Sequence, residues 1–255
     1  GYSHLYLQTP GEAPVALTSG NYIVDDLTLT ADDQYIYYKA NSEHPGIYEI
    51  YRVNTQTKAI DTLTDLNGIT DYTLSPDDAT LLLSHSKVNQ PAELYVKSST
   101  GQQKAQQITS STSDDFASLP WAVPKIVAIE SSHTDAPIYA RVYLPEGYDS
   151  TKKNKAVVFN HGAGYLQNAH MGWSGYFREY MFHSMLVQQG YVVLDMDYRA
   201  SAGYGRDWRT AIYRQMGTPE VQDLRDGINY LVKNANVDRK RIGTYGGSYG
   251  GFLTF

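Results

Sequence analysis

The chain has no cysteine, which excludes disulfides and thiolate metal sites but leaves the redox compartment open, cytoplasmic, periplasmic or secreted. No run of about 18 apolar residues is available to span a bilayer, and no signal peptide is visible. Basic residues are the minority, 21 Lys and Arg against 27 Asp and Glu. The net charge of -6 argues against nucleic acid or an anionic membrane as a partner. No motif calls for a cofactor, and homo-oligomerisation is left open.

The most consequential absence concerns histidine. His4, His44, His85, His133, His161, His170 and His183 all precede Ser248, which lies in Gly246-Gly247-Ser248-Tyr249-Gly250-Gly251. This Gly-x-Ser-x-Gly pattern ends a strand, turns sharply and enters a helix. The serine backbone is strained there, and glycines two residues to either side avoid clashes. In that architecture an acid and a histidine follow the serine, yet only seven residues do. The chain is therefore expected to be truncated at both ends, inactive toward peptides by itself, and poorly folded alone through an exposed sheet edge.

The first 119 residues carry an internal repeat. Leu17-Thr18, Leu63-Thr64 and Ile108-Thr109 recur at spacings of 46 and 45. Leu27-Thr28-Leu29-Thr30-Ala31-Asp32-Asp33 is echoed by Tyr72-Thr73-Leu74-Ser75-Pro76-Asp77-Asp78, and Leu5-Tyr6-Leu7 by Tyr48-Glu49-Ile50 and Leu94-Tyr95-Val96. Short alternating runs on a beat of about 45 residues predict four-stranded propeller blades, two full ones and the end of an earlier one. The paired aspartates are read as turn residues rather than calcium ligands. Residues 1–119 are thus assigned to a partial β-propeller.

From Leu119-Pro120-Trp121-Ala122-Val123-Pro124 onward the pattern changes. Lys125 to Glu130 and Ile138 to Leu144 alternate as antiparallel strands. Ala156 to Asn160 and Tyr191 to Met196 are continuous apolar runs suited to a parallel sheet buried on both faces. Trp173 to Gln189 predicts a helix ended by Gly190, and Pro219 to Asn234 another, capped by Thr218. Val237 to Arg241 reads as a polar loop before a strand over Ile242 to Tyr245. Residues 120–255 therefore form the first part of a doubly wound, mostly parallel α/β-hydrolase sheet that ends just after the nucleophile turn.

Asp197-Tyr198-Arg199-Ala200-Ser201-Ala202-Gly203-Tyr204-Gly205, followed by Gly246 to Gly251, resembles the prolyl oligopeptidase family of serine peptidases, leaning toward its dipeptidyl peptidase and acylaminoacyl peptidase branch. The resemblance implies a propeller followed by a hydrolase domain, with the propeller restricting substrates to short peptides. It implies Ser248 as nucleophile through an acyl-enzyme. The backbone N–H of Tyr249 and one near Gly162 are the oxyanion donors. His161, Arg199 and Tyr204 fall at the active-site rim. As an isolated pair, Arg199 and Asp207 read as a surface ion pair. At this place the family uses either a tyrosine side chain or a His-Gly-Gly-Pro backbone turn; His161-Gly162-Ala163-Gly164 departs from both, and Ala200 replaces a usual glycine. Carboxylesterase chemistry on the same fold, or a non-catalytic propeller interaction module, are the competing readings.

Overall fold

The computed structural model describes residues 1–100, 103–162 and 166–255, which fall into two compact units. The first comprises Gly1–Ser118 with Met171–Trp173 and Gly203–Gly205; the second holds the remainder.

In the first unit, strands β1 (Tyr6–Leu7) and β2 (Val15–Ala16) form a hairpin. Strands β3 (Val24–Leu29), β4 (Tyr35–Ala40), β5 (Glu49–Asn54) and β6 (Ile60–Thr62) make one antiparallel sheet. Strands β7 (Ile69–Leu74), β8 (Thr80–Lys87), β9 (Gln90–Ser98) and β10 (Gln106–Gln107) make a second. A short helix α1 (Asp114–Ala117) follows, capped by the Ser113 hydroxyl on the Phe116 N–H. Tyr37 and Tyr38 are both buried but enter different apolar clusters, as the two-residue period of a strand covered on both faces demands.

Hydrogen bonds account for the sequence repeats. The Asp32 carboxylate accepts from Thr30 Oγ1 (2.7 Å) and the Gln34 N–H (3.0 Å) while Asp33 sits at φ 59°. In the next sheet Asp77 accepts from Ser75 Oγ (2.5 Å) and the Ala79 N–H (3.2 Å), with Asp78 at φ 57°. These aspartates build the turns. The threonine echo has an equally local cause: the hydroxyls of Thr18, Thr64 and Thr109 accept the N–H of Leu5, Ile50 and Leu94 at 2.9, 2.9 and 2.8 Å. Glu49 and Glu93 then accept from the Thr64 and Thr109 hydroxyls, and from the N–H groups of Leu66 and Ser111 respectively. At the first hairpin the His4 ring takes the carboxylate's place, 3.1 Å from Thr18 Oγ1.

The second unit is built on a five-stranded sheet. Strands β11 (Lys125–Ile129) and β12 (Ile138–Tyr143) pair antiparallel, and β12 pairs antiparallel with β14 (Tyr191–Met196). Strand β13 (Asn154–Asn160) runs parallel between β14 and β15 (Val237–Gly246), giving the order β11-β12-β14-β13-β15. The expected loop over Val237 to Arg241 is strand instead. Val237 pairs with Asn154, the register then slips, and pairing resumes from Ile242 opposite Ala156, so the polar stretch is a bulge inside the edge strand.

Helix α2 (Phe177–Gln188) begins later than its apolar pattern predicts, and Gly190 follows it at φ 77°, a conformation that suits glycine. A short helix α3 (Arg206–Arg209) leads to α4 (Pro219–Asn234), where Leu224 and Leu231 are buried. Gly227 packs so closely on β14 that a Cβ would lie 2.6 Å from the Met196 sulfur. Thr218 is the N-cap of α4 by position, but its hydroxyl makes no capping bond, contrary to expectation.

Two buried histidines give the fold a defined response to acid. Burial pushes the His85 ring down to about 4, with Lys87 adding to the shift, and the His183 ring down to about 3, with Arg141 adding. Both lie below the unfolded value of about 6.5, so their contribution is complete above that pH and is lost as pH falls toward the folded values. Asp195 works in the opposite sense. Burial raises it to about 6, so its contribution is present below the ordinary carboxylate value of about 4 and is lost as pH rises through 6. Because these trends offset one another in a global melt, a site-resolved measurement is needed. The ring ¹³C resonances of His85 and His183 are expected to stay at their neutral positions from pH 8 to about 5.5. Protonation of either ring in that window would show that its burial is not maintained.

Candidate active site

Helix α5 (Tyr249–Thr254) follows β15 through a single turn, and Ser248 occupies it at φ 54°, ψ −123°. A non-glycine residue held there costs of order 1–3 kcal/mol, so the surroundings must over-determine it. The Gly250 N–H donates to the Gly247 carbonyl (2.9 Å) and the Phe252 N–H to the Ser248 carbonyl (3.1 Å). Both flanking glycines are required by close approach. A Cβ on Gly246 would run into the Asn160 carbonyl oxygen and lie 2.6 Å from the Gly250 backbone. A Cβ on Gly250 would strike the same oxygen and lie 2.6 Å from the His161 carbonyl. The Asn160 amide adds a tie, donating to Thr244 Oγ1 (3.0 Å) on β15 and Thr254 Oγ1 (3.1 Å) on α5. The Ser248 side chain is left exposed on the outside of the bend.

Tyr249 directs its N–H from the first residue of α5, and its side chain is fixed from α4: the phenol donates to Glu220 Oε1, while Glu220 Oε2 accepts the Gly217 N–H (2.9 Å). Burial first, then the Glu220 carboxylate, raises the Tyr249 phenol strongly, so it stays protonated and keeps donating. Gly162 lies close by. A Cβ there would be 3.9 Å from the Gly247 carbonyl oxygen and 3.9 Å from the Tyr176 hydroxyl. Ala163 and Gly164, the rest of the expected oxyanion loop, lie outside the described residues.

His161 is fully buried, and both ring nitrogens are engaged, Nε2 with Ser201 Oγ and Nδ1 with the Gly162 carbonyl, each at 2.8 Å. Its ring stacks on Tyr198, 4.3 Å between centroids, and burial pushes its pKa down. The ring therefore props the loop carrying Gly162. Arg199 does not form the expected surface pair with Asp207. It is buried, its backbone N–H and Nε reaching Asp223 of α4 at 2.6 and 3.0 Å, and its Nη2 bonding the Pro219 carbonyl (3.0 Å) and Gln222 Oε1 (2.8 Å). Burial raises the Asp223 pKa more than the Arg199 contacts lower it. Arg206 is the residue that pairs with Asp207 at the surface. Tyr204 groups with the first unit, within Gly203–Gly205. Ala200, where a glycine was expected, adopts φ 110°, a glycine-like conformation, and is completely buried.

Beside Ser248 opens a cavity of about 180 Å³, lined by Phe159, His161, Gly162, Tyr176, Glu179 and Gly247. A larger open cavity of about 600 Å³ in the first unit is bordered by Arg52, Asp61 and Lys97. Sequence reasoning did not single out Glu220, Asp223, Tyr176 or Glu179. Glu220 and Asp223 follow Thr218-Pro219 at the start of a helix, where acids are common for helix-dipole reasons alone, so nothing in the pattern marks their partners.

Residues 177–255 match the family described as prolyl oligopeptidase family, and residues 1–92 match the dipeptidyl peptidase IV N-terminal region. Dipeptidyl peptidase 4 of Trichophyton rubrum is 26% identical over 263 residues, covering 100% of this chain and 33% of its own length. A probable dipeptidyl-aminopeptidase B of Arthroderma otae is 26% identical over 266 residues, covering 100% of this chain and 28% of its own. The crystal structure of Porphyromonas gingivalis dipeptidyl peptidase 4 shares the fold with a TM-score of 0.86 at 23% identity, covering 100% of this chain and 36% of that one. The chain thus spans about a third of the length of the curated relatives it matches.

Proposed function

We propose, for a chain that belongs to the prolyl oligopeptidase family through residues 177–255, that the intact protein is a serine peptidase releasing short fragments from small peptides. The observation that carries this reading is Ser248, exposed at φ 54° on a strand-to-helix turn whose glycines are demanded by the Asn160 carbonyl. Ser248 Oγ attacks the scissile carbonyl, and a base takes its proton. The carbonyl oxygen then becomes an oxyanion, for which the Tyr249 N–H, held by the Glu220 anchor, and a backbone N–H at Gly162 are the donors. Collapse of this intermediate expels the amine and leaves an acyl-enzyme on Ser248, which water hydrolyses. His161 is not that base, because both of its ring nitrogens are engaged elsewhere. The names of the relatives, dipeptidyl peptidases, favour dipeptide release, and the propeller part restricts substrate size.

In the intact protein, Ser248→Ala is expected to abolish fluorophosphonate labelling and to lower turnover of a dipeptidyl p-nitroanilide by about 10³-fold or more. Labelling that persists at another residue would reject Ser248 as the nucleophile. Turnover of a matched p-nitrophenyl ester without any anilide turnover would identify an esterase instead.

A further inference from the structure

Glu179 is the third residue of α2, a position from which a glutamate commonly folds back to cap the N–H of the N-cap residue. Here that N–H is already taken. Tyr176, the N-cap, donates its N–H to Ser174 Oγ at 3.1 Å. The Glu179 backbone N–H reaches the Tyr176 carbonyl at 3.0 Å, but among the described residues its carboxylate has no hydrogen-bond or ion-pair partner. It lines the cavity that opens beside Ser248.

The rest of the described cavity wall brings no cation to that carboxylate. Among the described residues that line it none is Lys or Arg, and burial disfavours the charged form of His161, the one imidazole among them, whose ring nitrogens are both engaged. Phe159 and Tyr176 contribute aromatic surface, which attracts cations through the ring quadrupole. Gly247 contributes no side chain to fill the space, and nothing lies within 4 Å of where its Cβ would be. A small cavity with one unpartnered carboxylate, aromatic walls and no competing cation suits an ammonium or guanidinium group.

Building on the serine peptidase reading, we infer that Glu179 selects substrates with a lysine or arginine side chain at a residue flanking the scissile bond. The test uses the intact protein and a set of peptides differing only by lysine, norleucine or glutamate at each of the two flanking positions. At one of these positions kcat/KM should favour lysine over norleucine roughly ten-fold, the scale of one hydrogen bond to a charged group. Glu179→Gln should bring that ratio close to one, and Glu179→Lys should turn the preference toward glutamate. The absence of any lysine preference, or a preference that survives Glu179→Gln, overturns the inference. A second measurement does not need turnover. N-acetyl-lysine methylamide should bind the intact Ser248→Ala protein more tightly than its norleucine counterpart, and Glu179→Gln should erase the difference. If Ser248 proves unreactive, the peptidase reading falls, while this binding comparison still decides whether Glu179 recognises a cation.

Discussion

Gly250→Ala in the intact protein is expected to cost about 3 kcal/mol and to abolish fluorophosphonate labelling of Ser248, because overpacking against rigid neighbours is destabilising at that scale or above. The new methyl group would meet the Asn160 carbonyl oxygen, the His161 carbonyl and the Asn160 carbonyl carbon, all backbone atoms. No side chain can rotate out of the way. Relief comes only if α5 separates from the end of β13, and that motion undoes the bend that holds Ser248 at φ 54°. Gly247→Ala is the matched control, since its Cβ meets nothing within 4 Å, and it should keep the fold. Thermal melting together with probe labelling checks both. Normal labelling of Gly250→Ala would mean that the close approach to Asn160 does not hold the turn.

Asp223→Ala should be the most damaging change away from the nucleophile, at about 3–5 kcal/mol, because it strands a buried guanidinium without its counter-charge. Arg199 is 8% exposed and Asp223 is fully buried. The pair closes at 2.8 Å from Arg199 Nη2, with a further bond of 2.6 Å from the Arg199 N–H. Removing the carboxylate leaves Arg199 only Pro219 and Gln222, neither of them charged. An exposed pair such as Arg206 with Asp207 is worth less than about 1 kcal/mol by comparison. Urea denaturation of the intact Asp223→Ala protein would measure the effect. A loss below about 1 kcal/mol would mean that Arg199 is solvated rather than buried.

The parts of this molecule that could be read from the sequence are those whose cause is local. The 45-residue beat is visible because Thr64 and Thr109 each take the N–H of a residue in the same hairpin, and because Asp32 and Asp77 each tie their own turn. Pro219 to Asn234 is legible as a helix because its start signal and apolar spacing lie within one segment. Ser248 is legible because strain at one residue imposes glycines at fixed offsets. The partner of Arg199 is not legible, since Asp207 is nearer in sequence and only packing of α4 on the sheet brings Asp223 to it. The start of α2 is hidden for a similar reason, because Ser174 claims the Tyr176 N–H and sets where the helix begins. Glu179 becomes informative only once that bond is known. The polar run after Val237 misleads because an edge strand tolerates a bulge and charges that a central strand would not.

The threonine and glutamate contacts of the first unit differ in kind from the tie at Ser248. Each is closed within one hairpin and the turn that follows it, so the cue aligning the third and fourth strands travels with that stretch of chain. Such a segment is portable: duplicated or exchanged, it carries its own alignment key, and neighbours can diverge in sequence without losing register. The nucleophile turn has no such autonomy, because the carbonyls that dictate Gly246 and Gly250 belong to Asn160, at the end of another strand far upstream, and to His161 just after it. One half of this chain can therefore diversify by copying, while the other can change only through paired substitutions across its sheet.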